Sequence, residues 1–145
     1  MPPLASLGDR LAAQFIDWAV AFAIVAVPEG LLLMIVGLRG GGMVAGGPVL
    51  LLFMLCALSY LLFSDSFPGG QSYGKRLMGL ACIDANTGRP CSVWQSLVRN
   101  GLLHALGWID WIFIFGSKCQ RLGDKAANTI VIRVHTFHLS DHRVR

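Results

Sequence analysis

Arg10 and Asp17 stand seven positions apart at the mouth of an apolar run that continues to Leu38. On a helix that spacing is two turns, so the two side chains share a face. A second basic–acidic segment, Gln120, Arg121 and Asp124, lies near the other end of the chain. An ionisable group at the edge of an apolar span is costly unless something pairs with it, which makes these residues functional candidates. Their chemistry is electrostatic. An arginine stays protonated, whereas a carboxylate near a bilayer can gain or lose a proton, its pKa raised by burial and lowered by the arginine. Arg10, Asp17 and Asp124 are expected to form one cluster, which would either exchange a proton for a cation or clasp a polar segment to the spans.

Other reactive side chains carry weaker patterns. Ser59, Ser64, Ser66 and the four cysteines have no sequence context pointing to a His–acid partner, so no enzyme is expected. Cys56, Cys82, Cys91 and Cys119 show no CxxC spacing and read as free thiols rather than a metal site. His135, His138 and His142, with Asp141, read as a solvated tail in preference to a metal site. Neither a metal nor a cofactor is expected.

The elements that position these groups follow from hydropathy. Of the 145 residues, 54% are hydrophobic and 14% charged, well below the charged share of about a quarter usual for soluble domains. Residues 18–38 carry one charge, Glu29, and residues 43–63 carry none. At about 1.5 Å per residue each can cross roughly 30 Å of hydrocarbon. The expectation is an integral membrane protein. The first span does not read as a cleavable signal, because Asp9 balances Arg10, the apolar stretch is too long and a second span follows directly. The net charge of +4 sits beside apolar spans, where positive-inside topology and anionic lipid explain it without nucleic acid.

Ser6 and Asp9 resemble a capping box and predict a helix from near Leu7. Pro28 predicts a kink or break, with Glu29 a solvated helix-end carboxylate or, alternatively, part of an ion pathway. Residues 39–47 are a glycine-rich turn between antiparallel spans. The β-branched run 129–134 and the apolar run 80–83 predict a short two-stranded ribbon. Ser92 and Gln95 form another capping box ahead of an amphipathic, interfacial helix. The apolar stretch 101–116 is short and holds His104 and Asp110 between indoles. It reads as an interface crossing or a re-entrant hairpin broken at Gly107.

Lysines and arginines cluster in 64–92 and in the tail, which predicts that both basic segments and both termini face the cytoplasm. The expected fold is therefore all-α, a single membrane domain over 1–145. It has two transmembrane helices over about 11–38 and 43–63, and an interfacial or re-entrant helical hairpin over about 92–116. A cytoplasmic tail over 117–145 and a small cytoplasmic β-ribbon complete it.

Several local patterns then coincide. They are residues 10–17 (RLAAQFID), 70–80 (GQSYGKRLMGL, with Gly74, Lys75, Arg76 and Gly79), Asp84 with Thr87 and Gly88, the pair Arg99 and Asn100, and 120–129 (QRLGDKAANT, with Gln120 and Arg121). Jointly they resemble the RDD family of small bacterial integral membrane proteins over about residues 7 to 133. The resemblance puts the arginine and two aspartates of the family name on Arg10, Asp17 and Asp124. Members commonly have more hydrophobic length before the Gln-Arg-Leu-Gly-Asp segment; here 101–118 is all there is. Transport, including cation–proton exchange, has been suggested for some members. The resemblance thus implies a bacterial inner-membrane, multi-pass protein. The leading expectation is an accessory or structural subunit, its partners membrane lipid and a larger membrane complex or further copies of itself. The alternative is a homo-oligomeric cation/proton exchanger built on the Arg-Asp-Asp cluster.

Overall fold

The computed structural model describes residues 3–38, 46–107 and 120–134. The first helix, α1 (Leu7–Leu38), starts where Ser6 Oγ accepts a hydrogen bond from the Asp9 amide at 3.1 Å. It runs on through Pro28 instead of breaking there. Proline removes one backbone donor, but in an apolar layer the neighbouring amides have no partner better than the helix itself. Glu29 consequently lies within α1, not at its end, which corrects the expected helix-end carboxylate.

The second helix, α2 (Gly46–Phe63), has Pro48 in its first turn, where a missing N–H costs little. Both helices are long and apolar enough to cross a membrane, and both leave most of that surface outside the fold. Phe22 is 74% exposed and Met34 63%. A core helix of a soluble domain would bury such side chains; helices that are apolar all round suit a lipid or protein surrounding.

After α2 the chain makes a tight 3-10 turn, Ser64–Ser66, and then a short helix, α3 (Tyr73–Leu77), whose amino end Ser72 caps. Gly79, at a positive φ of 63°, leads into strand β1 (Leu80–Asp84). The Asp84 side chain staples the following turn by accepting from the Asn86 and Thr87 amides at 2.9 and 2.8 Å. Helix α4 (Val93–Leu106) opens with the Ser92–Gln95 capping box read from the sequence and ends at Gly107. A one-turn helix, α5 (Leu122–Ala126), and strand β2 (Thr129–Arg133) follow.

Strands β1 and β2 form the expected ribbon, antiparallel, with Cys82 opposite Val131 and Asp84 opposite Thr129. Two strands alone are marginal. Here each edge is covered: Leu4 bridges to Ile132 on one side, and Pro90 to Ile83 on the other. The small core beneath joins Ala5, Ala13, Leu80 and Val131, with Met78 against it. It places the ribbon on the amino-terminal turns of α1, beside Arg10. The expected glycine-rich turn and the expected hairpin beyond Gly107, with Trp108, Asp110 and Cys119, and the tail histidines fall on residues outside those described.

Candidate functional site

Arg10 and Asp17 rise from the same face of α1, but they meet different partners. Asp17, 4% exposed, accepts from Ser72 Oγ at 2.5 Å, from Tyr60 Oη at 2.8 Å and from the Gly74 amide at 2.8 Å. These donors are neutral and come from α2, the α3 cap and α3. Two turns of helix separate Asp17 from Arg10 by about 10 Å along the axis, which is why a single ion-pair cluster does not form around both. The expected cluster is thus divided into a hydrogen-bonded aspartate and an ionic group below it.

Gly74 makes the first of these possible. A Cβ on Gly74 would sit 2.0 Å from the Ala13 carbonyl oxygen, so only glycine lets α3 press its backbone against α1. That contact aims the Gly74 N–H at Asp17.

The ionic group is built around Asp124, whose side chain is fully enclosed. Its Oδ1 lies 3.1 Å from Arg99 Nη2 and 3.8 Å from Arg121 Nη2, and its Oδ2 lies 3.5 Å from Arg10 Nη1. One carboxylate is shared by three guanidinium groups, from α1, α4 and the residue capping α5. Arg10 also donates from Nη2 to the Val131 carbonyl at 3.0 Å, tying the helix to β2. Gly123 lets α5 come close, since a Cβ there would lie 2.5 Å from the Arg99 carbonyl oxygen.

A second carboxylate, Asp65, stands on the other side of Arg99, with its Oδ2 3.3 Å from Arg99 Nε. Lys75 Nζ pairs with its Oδ1, and Asn100 Nδ2 donates to Oδ2 at 3.2 Å. Arg99 therefore bridges two buried acids, and its Nη1 also rests against Cys82 Sγ. Ser96 Oγ donates to the Leu62 carbonyl at 2.8 Å, satisfying a backbone acceptor at the open end of α2. This is how α4 is docked so that Arg99 reaches both acids.

Burial alone would raise the Asp124 pKa, but Arg99, Arg121, Arg10 and Lys75 outweigh it and hold the carboxyl below its ordinary value. Burial likewise works against the charge on Arg99; Asp124 and Asp65 reverse the effect and raise its pKa further. A cavity of about 10 Å³, lined by Arg10, Gln14, Lys75, Arg99, Arg121 and Val131, lies at the centre. It has room for one water-sized group.

Of the residues singled out from sequence, Arg10, Asp124, Lys75, Arg99, Asn100 and Arg121 meet in this network. Gln120 supports it from outside by donating to the Thr129 carbonyl at 2.8 Å. Gly74 belongs to the Asp17 site and Gly79 to a turn. Arg76 faces out, donating to the Pro68 carbonyl at 3.3 Å, and takes no part in the network. Sequence reasoning missed Asp65, Tyr60 and Ser72. Asp65 had a usable signal: like Asp17, it is an acid at the edge of a charge-free span. Among the described residues, no group of three or more His, Cys, Asp or Glu is placed to hold a metal.

A family model described as the RDD family matches residues 4–128, most of the chain. No curated protein and no solved structure matches significantly. With the two long apolar helices, this match supports a membrane protein.

Proposed function

The chain belongs to the RDD family, and from that premise we propose that it is a small membrane subunit acting by association, its ion pairs a clasp. The observation that carries this reading is the enclosure of Asp124. Its charge is engaged by Arg10, Arg99 and Arg121, which join the amino-terminal, central and carboxy-terminal parts of the chain. Removing one member of such a group leaves buried charge behind, so the group holds segments in register.

The two long helices among the described residues are too few to enclose a pore, and their exposed apolar faces suit lipid and a protein neighbour. In this reading the protein lies in the bacterial inner membrane, crosses it more than once and keeps both termini in the cytoplasm. It has no catalytic centre of its own. The test is purification in mild detergent followed by native mass spectrometry. A stoichiometric larger membrane partner, or a defined homo-oligomer without ion flux in liposomes, supports the reading. A monomer that moves ions on its own overturns it.

One observation favours the alternative, a homo-oligomeric cation/proton exchanger. Asp17 is a carboxylate buried at the α1–α2–α3 junction and held by neutral hydroxyl and amide donors, set apart from the arginines around Asp124. Under that reading Asp17→Asn abolishes proton-coupled flux while the assembly survives.

A further inference from the structure

The hairpin after β1 sets two cysteines against each other. Ile83 bridges Pro90 in antiparallel register, so one step further Cys82 stands directly opposite Cys91. The Cys91 amide donates to the Cys82 carbonyl at 3.1 Å, and two residues along the Asp84 amide donates to the Arg89 carbonyl at 2.9 Å, which confirms the register. The Cys82 amide itself donates to the Gly70 carbonyl at 2.7 Å, so the two cysteines share one ladder bond. Directly opposed antiparallel residues point to the same face, with Cα atoms about 4.5–5.5 Å apart. Disulfides span Cα separations of roughly 4.4–6.8 Å. Both thiols are free, with Cys82 0% and Cys91 4% exposed.

We propose that Cys82 and Cys91 are a reversible dithiol–disulfide pair that hydrogen peroxide oxidises and a small thiol reduces. The Arg99 guanidinium against Cys82 Sγ stabilises a thiolate there and makes it the attacking sulfur. Burial pushes the Cys82 thiol up, but a hydrogen bond from Cys91 and the charge of Arg99 more than offset it and bring it down to about 7. Cys91 is shifted upward by the same contact with Cys82 and by burial, which keeps it a thiol.

In the first step the Cys82 thiolate attacks one peroxide oxygen. An S–O bond forms, the O–O bond breaks, and hydroxide leaves to be protonated to water. In the second step the Cys91 sulfur attacks the sulfenic sulfur. The S–S bond forms, the S–O bond breaks, the thiol proton is given up and a second water leaves. Two thiols and one peroxide thus give one disulfide and two waters. Access comes through the hairpin itself, because residues 85–90 and Ser92 are exposed and Cys91 is buried only between them. Oxidation takes the Cys82 thiolate away from Arg99, which couples the pair to the Asp65–Arg99–Asp124 group. Such a bond suits a reducing compartment as a transient, sensing disulfide.

The test treats the full-length protein in detergent with hydrogen peroxide, quenches with an alkylating reagent and maps peptides by mass spectrometry. The expected result is a loss of two hydrogens, a peptide pair joined through Cys82 and Cys91, and full recovery of both alkylated thiols after dithiothreitol. The same joined pair is expected in a Cys56→Ser, Cys119→Ser variant. Three results overturn the proposal: sulfenic or sulfinic acid at Cys82 with no link to Cys91, a link through Cys56 or Cys119 instead, or two unreacted thiols when the denatured chain is oxidised under the same conditions. The wild-type protein reads all of these, so the outcome does not depend on a variant folding.

Discussion

Asp124 Oδ1 and Arg99 Nη2 approach to 3.1 Å with both side chains closed off from solvent. Their atoms are not aligned as a hydrogen bond, so the contact is charge against charge. Interior ion pairs of this kind add little to stability against an apolar replacement, yet breaking one is severe. The pair is best understood as what fixes α4 relative to α5.

Asp124→Asn should therefore destabilise the protein strongly, by about 3–5 kcal/mol, since it strands the guanidinium groups around it. Arg76→Ala, which removes an outward-facing arginine, should shift stability by less than about 0.5 kcal/mol. Thermal unfolding in detergent, followed by circular dichroism, compares the two. Equal losses would show that the network does not set stability.

Gly74→Ala and Gly101→Ala should act in opposite directions. The first drives a methyl into the Ala13 carbonyl and should cost about 1–3 kcal/mol by overpacking. The second meets nothing within 4 Å in mid-α4 and should gain about 0.5–1 kcal/mol. Melting temperatures of the two variants check this.

Acid should unfold the protein through Asp124. Its folded pKa is depressed, so its contribution is present above the unfolded value near ~3.9. Below that value the unfolded chain binds a proton that the native state does not, and stability falls as pH falls. Wild-type stability should hold from pH 7 to about 5 and drop below about 4, whereas Asp124→Asn should lose that part of the slope. Urea titrations across this range measure the difference.

How far the sequence reveals the fold depends on the range of the force involved. Hydropathy and capping act locally, so both long helices, the ribbon strands and the Ser92–Gln95 cap were legible. The pairing of Arg10 with Asp124 was legible too, because a buried arginine needs an anion. Which hydroxyls would close around Asp17 was not, since Ser72 and Tyr60 are brought there by the Gly74–Ala13 approach, a tertiary contact with no local pattern. Asp65 differs: its place at the edge of a charge-free span is a local signal, whereas its partners are set only once Ser96 docks α4 on the end of α2.

Small residues on α1 divide by face. Ala13 and Ala21 are buried within the fold, whereas Ala19 and Ala23 are exposed. A neighbouring helix can approach closely at the second pair. Ala19→Leu with Ala23→Leu should weaken the assembly without unfolding the subunit. Native mass spectrometry reads the first and circular dichroism the second. An intact assembly would remove this surface from the interface.

Topology is open to direct labelling. In intact cells Cys119 should resist impermeant thiol reagents, while a Gly42→Cys variant should react. Ready labelling of Cys119 from outside would replace the two-crossing topology with three crossings.

Arg10 and the carbonyl it grips on Val131 are separated by 121 positions of chain. For a ribosome adding roughly 5–20 residues per second, that separation is a wait on the order of ten seconds. During it, α1 has left the ribosome while its strand and its shared carboxylate do not yet exist. Until they are made, Arg10 has neither the Val131 carbonyl nor the Asp124 carboxylate to pair with. A segment translated late is thus the one that closes an early one, and a chain cut short before Asp124 carries its own mark of incompleteness: an arginine still hydrated where the folded protein has sealed it.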